Sequence, residues 1–161
     1  MDDRPFLDLK AAGARLRARV LAVNAEHAAQ TSPLDRSRLA DLIEAAEIAL
    51  ARADGRAFVL ALGEGAAYSS PNFQWFRARY PEFLYVDRIV VGAELQGRGT
   101  GRALYARVFE AAARRGVPVA AEVNTVPPNP VSDSFHARLG FAPVGEARLG
   151  SRKAGRDYVL G

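Results

Sequence analysis

The sequence predicts one mixed α/β domain with a central sheet of about seven strands and three or four helices. Its 161 residues are 49% hydrophobic and 25% charged, a balance typical of a globular domain long enough to bury a core. Short apolar runs typical of strands alternate with segments whose apolar residues recur every three to four positions. No repeat, linker or low-complexity tract divides the chain, so we expect residues 1–161 to form a single domain.

The first part of the chain predicts a strand followed by a helix. Residues 1–14 have no clear period and fit either a short strand or a short helix. In residues 15–24 apolar and polar side chains alternate at first and β-branched side chains follow, which indicates a strand. Residues 34–46 carry apolar side chains three to four positions apart, with Asp35 near the start, which predicts an amphipathic helix.

A hairpin and a long aromatic segment are predicted next. Two apolar runs, 47–52 and 56–62, flank the pair Asp54-Gly55, which is the strongest short-range indication of a β-hairpin. Residues 63–81 are irregular and rich in aromatic side chains, and a loop of this length in a compact domain is usually functional. Its aromatic residues are candidates either for the wall of a ligand pocket or for a cap on the core.

The second half of the chain predicts alternating strands and helices. Residues 82–91 form a strand that is apolar on both faces toward its end, as expected at the centre of a sheet. Residues 100–115 form an amphipathic helix that ends at Gly116, and residues 117–123 form another apolar strand. The prolines of residues 124–130 are incompatible with regular structure. The remaining elements are a helix at 131–139 and strands at 141–149 and 157–160.

Composition and charge disfavour several classes of function. The net charge is +4, but the basic residues are scattered along the chain and balanced by 18 acids, which disfavours a nucleic-acid partner. No apolar run reaches the roughly 18 residues of a membrane span, and the first residues are charged instead of forming a signal core, so we expect a cytoplasmic protein. Without cysteine there is no disulfide or cysteine nucleophile, and no cluster of His, Asp and Glu has metal-ligand spacing.

A glycine-rich loop joins the predicted strand 82–91 to the helix 100–115. Its sequence, Gln96-Gly97-Arg98-Gly99-Thr100-Gly101, is neither the dinucleotide fingerprint nor a P-loop. Alternate glycines let backbone N–H groups approach a ligand, and the helix N-terminus adds unpaired donors and partial positive charge. The loop therefore predicts a phosphate or pyrophosphate site flanked by Arg98 and Arg102. The alternative is a plain strand-to-helix turn.

Two segments together resemble the GNAT superfamily of N-acetyltransferases. The pattern Q-x-x-G-x-G after a strand resembles the acyl-CoA-binding motif of that family. The segment from Asn129 to Phe141, an Asn followed by a helix and Leu-Gly-Phe, resembles the family's second CoA-contacting segment. The two lie a helix and a strand apart, as in the family. The resemblance covers residues 82–161, whereas residues 15–80 match only in element order. It implies a GNAT-like fold with splayed central strands and acetyl-CoA as co-substrate, without a metal.

The resemblance also implies where acetyl-CoA would bind. The backbone of Ile89, Val90 and Val91 would hydrogen-bond the pantetheine amides and steer the acetyl carbonyl, and the neighbouring strand would be 117–124. Asn129 matches the family's Asn beside the pantetheine. The residues implied for the pyrophosphate are Gln96, Gly97, Arg98, Gly99, Thr100, Gly101 and Arg102.

The sequence departs from the family pattern at His136. At this position, four residues before the glycine of Leu-Gly-Phe, the family commonly has a Tyr that acts as general acid toward the CoA thiolate. Histidine can donate a proton near neutral pH, so it is a candidate for the same role. The alternative is a structural histidine packed against Phe141 and satisfied by a backbone carbonyl. Tyr105, on the helix 100–115, is interpreted as a core residue.

Two carboxylates are candidates for the base that deprotonates the acceptor. Glu122 is the first, because it lies in an otherwise apolar strand. Asp87 is the second. Period-two counting places it on one strand face with Tyr85, Ile89 and Val91. For either carboxylate the alternative is an ion pair with an arginine such as Arg88.

The expected function is transfer of an acetyl group to a primary amine of a small molecule or peptide. A thioester is already activated, so a held and deprotonated amine can attack it directly, and the backbone of Val90–Val91 could stabilise the oxyanion. The residues expected to bind the acceptor are Tyr68, Phe73, Trp75, Phe76 and Tyr85. Three alternatives remain: another acyl donor or acceptor, a non-catalytic acyl-CoA-binding regulatory module, and a nucleic-acid-binding protein. Homodimerisation is left open.

Overall fold

The computed structural model describes residues 5–29, 31–126, 129–148 and 154–160. These residues form seven strands, five α-helices and two 3-10 turns at Leu9–Ala11 and Ala93–Leu95. The strands are β1 Phe6–Asp8, β2 Ile48–Arg52, β3 Ala57–Gly63, β4 Leu84–Val91, β5 Val119–Val126, β6 Ala142–Arg148 and β7 Ala154–Leu160. The helices are α1 Ala14–Glu26, α2 Arg36–Ala45, α3 Pro71–Arg77, α4 Thr100–Arg115 and α5 Pro130–Arg138.

All seven strands belong to one sheet in the order β1-β2-β3-β4-β5-β7-β6. Neighbouring strands are antiparallel except for β4 and β5, which run parallel at the centre. This order confirms the mixed α/β class that the sequence predicts. None of the helices in the described part of the chain is long and apolar enough to cross a membrane.

Helices cover both faces of the sheet and bury two cores. Alternate residues of β3 point to opposite faces, as strand geometry requires: Phe58 belongs to the core under α1, α2 and α3, and Val59 belongs to the core under α4. Every residue of β3 is buried. The centre of the sheet is therefore shielded from solvent on both sides.

The number of helices exceeds the prediction, and one reason is that a segment predicted as a strand is helical. Residues 15–24, predicted as a strand, lie in α1. Leu16, Val20 and Val23 are three to four positions apart and pack on the sheet, while the alternation near Arg15 reflects arginines that the helix can leave exposed. Tertiary packing of the apolar stripe decides the element.

Two further segments are more regular than predicted. Within the aromatic segment 63–81, helix α3 begins with Pro71 at its first turn and buries one face into the core. In the segment 124–130, β5 continues to Val126, paired with β7 across a register shift. The prolines at 127 and 128 lie outside the described residues, as does most of the predicted turn 150–156; β7 begins within it, at Ala154.

Strand β4 contains a β-bulge at Asp87. Leu60 of β3 pairs with Arg88 and the next residue pairs with Val86, so Asp87 is an extra residue on its strand. The bulge reverses the alternation. Tyr85 belongs to the core under α1–α3, whereas Ile89 and Val91 pack on the core under α4. The prediction that one face holds Asp87, Tyr85, Ile89 and Val91 is therefore wrong.

Candidate active site

The two central strands, β4 and β5, separate at the β-bulge of β4. The β4–β5 ladder consists of three residue pairs and ends at Val86 and Ala121. Beyond that point a cavity of about 310 Å³ lies between the strands, bordered by Asp87 and Ile89 on β4 and by Glu122 and Val123 on β5. The predicted splay of the central strands thus has a direct counterpart in the hydrogen-bond pattern.

The cavity has two polar ends on opposite sides of the sheet. The α4–α5 side is lined by Tyr105, Asn129, Ser132 and His136. The α1–α3 side is lined by Thr31, Ser32, Arg38, Tyr68, Ser70 and Asn72. A ligand entering from one side can therefore meet, between the strands, a ligand entering from the other.

The glycine loop leaves the N-terminus of α4 open. Gly97 and Gly99 have φ of 78° and 84°, in the left-handed region that favours glycine. Gly99 is the N-cap of the 16-residue helix and provides no side-chain cap, and the first turn contains no acidic residue. Arg98 and Arg102 are exposed beside it. The helix dipole and the two cations favour an anion at this end, as the sequence predicts.

Several predicted loop residues have local partners or structural roles. The Arg98 N–H donates to the Leu95 carbonyl at 3.2 Å, and the Gln96 amide donates to the Val91 carbonyl at 3.5 Å. Thr100 is 1% exposed, so its side chain faces the core. A side chain at Gly101 would place Cβ 3.1 Å from the Phe135 ring. Gly101 thereby allows α5 to pack on α4.

His136 lies at the α4–α5 end of the cavity and is 3% exposed. Its Nδ1 lies 2.8 Å from the Ser132 carbonyl, and its ring centre lies 5.2 Å from that of Phe141. Burial lowers its pKa below the ordinary value, although the hydrogen bond to Ser132 and the charge of Asp133 oppose this. The structural interpretation is thus confirmed, because the histidine is packed against Phe141 and bonded to a backbone carbonyl. Its role as an acid stays a prediction, and the side chain does line the cavity.

Tyr105 is a core residue, as predicted, but its hydroxyl has a specific partner. The Tyr105 Oη lies 2.6 Å from His136 Nε2, and the side chain is fully buried. Burial raises the pKa of this phenol well above its ordinary value. Sequence reasoning missed the contact because it joins two helices that are separated by β5.

Asp87 and Arg88 form a buried ion pair at the other end of the cavity. The Arg88 Nε lies 2.7 Å from Asp87 Oδ2, and the two side chains are 3% and 4% exposed. The Tyr68 hydroxyl donates to Asp87 Oδ1; burial and the Asp87 charge raise the pKa of Tyr68. Both carboxylate oxygens are thus engaged, which matches the ion-pair interpretation of Asp87.

Arg88 also ties the strand to α1 and the loop after it. Its guanidinium donates to Asn24 Oδ1 at 3.0 Å and to the hydroxyl and carbonyl of Ser32 at 2.9 and 3.0 Å. Neither Asn24 nor Ser32 was predicted as a site residue. No sequence pattern identifies them, because they lie 64 and 56 positions away from Arg88.

Glu122 is half-buried on β5 and lines the cavity. Burial, followed by the charges of Asp87 and Glu122, raises the pKa of Tyr85 well above its ordinary value. Glu122 and Tyr85 therefore face a common space. The structure brings together Glu122, Tyr85, Asp87 and His136 around one cavity.

The predicted aromatic wall is only partly present. Tyr68 and Tyr85 line the cavity, whereas Phe73 and Phe76 are fully buried in the core under α1–α3. Trp75 faces away: a Cβ added to Gly145 of β6 would lie 2.6 Å from its ring. Helix α3 explains the difference, because its apolar stripe packs inward.

Asn129 caps α5 as well as lining the cavity. Its side-chain oxygen accepts from the Ser132 N–H at 3.2 Å, and the helix follows with Pro130 at its first turn.

Residues 21–141 match the model of the acetyltransferase (GNAT) family. The chain belongs to the GNAT acetyltransferase family.

This GNAT chain is similar to several known N-acetyltransferases. It is 39% identical over 95 residues to the phosphinothricin N-acetyltransferase of Streptomyces coelicolor, a match that covers 58% of this chain and 53% of that protein. The match thus spans about half the length of the curated relative. Arabidopsis thaliana NAA60 in complex with acetyl-CoA has the same fold, with a TM-score of 0.70 at 15% identity, over 97% of this chain and 98% of that one. An N-acetyltransferase from Staphylococcus aureus Mu50 also has this fold, with a TM-score of 0.64 at 16% identity, over 92% of this chain and 94% of that one.

Proposed function

We propose that this GNAT chain transfers an acetyl group from acetyl-CoA to a primary amine by direct attack. The observation that carries the proposal is the gap between β4 and β5, which opens after three residue pairs beside the uncapped N-terminus of α4. The gap between the strands suits an extended amide-bearing arm, and the N-terminus of α4 suits a pyrophosphate. Acetyl-CoA combines these two groups, and it is the molecule bound in the NAA60 structure.

The cofactor side would use backbone more than side chains. The edge of β4 from Ile89 to Val91 lies beyond the β4–β5 ladder. The backbone groups of this stretch that do not pair with β3 therefore face the gap and are available to the pantetheine. The N–H groups from Gly97 to Arg102, the Arg98 one excepted, would hold the pyrophosphate, with the two arginine side chains nearby. Asn129 would contact the pantetheine from the start of α5.

Acetyl transfer needs a base, an oxyanion donor and an acid. Glu122 is proposed to take the first proton, from the ammonium form of the acceptor. The backbone of Val90–Val91 is proposed to donate to the oxyanion, and His136 is proposed to supply the proton of the leaving thiolate. Asp87 is assigned a supporting role in place of a base, because its oxygens already hold Tyr68 and Arg88.

The acceptor is proposed to enter from the α1–α3 side. The exposed cation Arg38 lines this side, beside hydroxyls such as that of Ser70, and these groups favour an amine that also carries an anionic group. The cavity of about 310 Å³ also has to hold the thioester. A small molecule or the first residue of a peptide fits this space.

Two measurements test the proposal. Titration calorimetry with acetyl-CoA should show binding that saturates, and absence of binding would contradict the assignment of the donor. Thiol release should then be followed with primary amines that differ only in whether they carry a carboxylate or phosphinate. Turnover that favours the anionic amines is expected. Binding with no thiol release from any amine would favour a regulatory module.

A further inference from the structure

Tyr105 and His136 form a buried hydrogen-bonded pair. The Ser132 carbonyl, which also contacts the histidine, determines which atom of the pair donates and which accepts. A carbonyl oxygen can only accept, so the Ser132 carbonyl fixes the hydrogen of His136 on Nδ1. In the neutral ring Nε2 then carries a lone pair, and the Tyr105 hydroxyl donates to it at 2.6 Å. The oxygen of Tyr105 keeps its own lone pairs for a group in the cavity.

This arrangement places Tyr105 between the cavity and Nε2 of the histidine. Both side chains line the cavity, yet Nδ1 is directed to the backbone and Nε2 to the phenol. A proton that passes between a reacting atom and Nε2 therefore crosses the Tyr105 oxygen, unless the 2.6 Å contact first breaks.

Packing holds the phenol in this position. Its ring stacks on Phe109 at 5.4 Å and 27° and meets the edge of Phe141 at 5.5 Å. The ring of His136 stands nearly perpendicular to it, at 87°. This packing fixes the position of the hydroxyl, which is the preorganisation that proton transfer requires.

Burial keeps both groups neutral before the reaction. It raises the pKa of Tyr105 and lowers the pKa of His136. A neutral imidazole can accept a proton, and the resulting imidazolium would be stabilised by the Ser132 carbonyl and by the charge of Asp133 on the same helix. Glu122 and Asp87 border the same cavity from β5 and β4.

We infer that Tyr105 is a further catalytic residue, which carries a proton from the acceptor nitrogen to His136 and then returns it to the leaving sulfur. The inference rests on the proposed function and refines one step of it, because His136 supplies the proton of the thiolate through Tyr105 instead of directly. After attack, the nitrogen gives its second proton to Tyr105 Oη while the phenol's own hydrogen moves to His136 Nε2. When the C–S bond breaks, Nε2 returns that hydrogen to Oη, and Oη passes one to the thiolate. The products are an amide, a free thiol, and neutral Tyr105 and His136, and Glu122 releases the first proton to solvent.

The test compares Tyr105→Phe with a matched control, Tyr80→Phe, which removes a hydroxyl from a ring that packs on Phe76 and does not line the cavity. The probe is acetyl-CoA with the best amine of the panel described above. Tyr105→Phe should lower kcat by about 10²–10⁴-fold while the Kd of acetyl-CoA stays within twofold, and Tyr80→Phe should retain full activity. A Tyr105→Phe enzyme with wild-type kcat would overturn the inference.

A second readout separates proton transfer from mere positioning of His136. In mixtures of H2O and D2O, wild-type kcat should vary with a curvature that requires two protons in flight, whereas the residual rate of Tyr105→Phe should vary linearly. A linear wild-type dependence would overturn the inference. A wild-type enzyme with no turnover of any amine would instead count against the proposed function.

Nitrogen NMR of the resting protein tests the geometry without activity. The wild type should show His136 as the neutral tautomer with hydrogen on Nδ1, assigned with a His27→Asn variant that removes the other histidine. Hydrogen on Nε2 would overturn the inference whatever the kinetics. This measurement also decides the matter if Tyr105→Phe does not fold.

Discussion

Replacing Arg88 with Leu should destabilise the protein by about 3–5 kcal/mol, the usual cost of breaking a buried ion pair from one side. The guanidinium lies 2.7 Å from Asp87, and both side chains are almost fully buried. The variant would leave the Asp87 carboxylate buried without a cation. It would also remove the hydrogen bonds to Asn24 and Ser32. In a domain with typical stability of about 5–15 kcal/mol, this loss should lower Tm by roughly 10 °C.

Urea denaturation followed by Trp75 fluorescence measures the effect. The matched control is Arg56→Leu, which breaks an ion pair with Glu26 and Glu94 at the surface and should cost only a small fraction as much. Changing Asp87→Asn together with Arg88→Leu should recover part of the loss, because no lone charge stays buried. Equal losses for Arg88→Leu and Arg56→Leu would refute the reasoning.

Three other outcomes are expected. Gly99→Val should raise the Kd of acetyl-CoA at least tenfold in calorimetry, because valine disfavours the φ of 84° that the loop needs at this position. The control Gly65→Val, at an exposed and uncrowded glycine, should leave the Kd unchanged. Equal effects of the two substitutions would contradict the assignment of the loop. Burial lowers the pKa of His136, so the unfolded chain binds a proton at this histidine more tightly than the folded chain does. The free energy of unfolding should therefore fall as pH drops below about 6.5. His136→Gln should flatten that part of the denaturation profile, and an unchanged slope would argue against burial of a neutral ring. Glu122→Gln should lower kcat by at least about 10²-fold without weakening acetyl-CoA binding; wild-type turnover would remove Glu122 as the base.

Local patterns account for the parts of the fold that the sequence predicts well. Helix α4 spans the predicted residues 100–115, because its apolar stripe is regular and Gly116 adopts the left-handed conformation that ends it. The hairpin around Asp54-Gly55 has the same origin. Helix α1 was missed, since the alternation in residues 15–24 fits both periods and packing against the sheet decides between them.

The site was harder to predict because its contacts are long-range. The bulge at Asp87 is a property of pairing with β3, and it alone moves Ile89 and Val91 to the other face. The hydroxyl of Tyr105 meets His136 across 31 positions, a contact that depends on how two helices cross. Motifs and isolated polar residues in apolar strands were enough to predict His136 and Glu122, which line the cavity, whereas the partners of these side chains depend on the tertiary structure.

The most direct test of the central claim is a crystal structure with coenzyme A bound. The account predicts the pyrophosphate at the N-terminus of α4, the pantetheine between β4 and β5, and the sulfur beside the hydroxyl of Tyr105. Coenzyme A bound elsewhere, or a sulfur outside the β4–β5 gap, would contradict it.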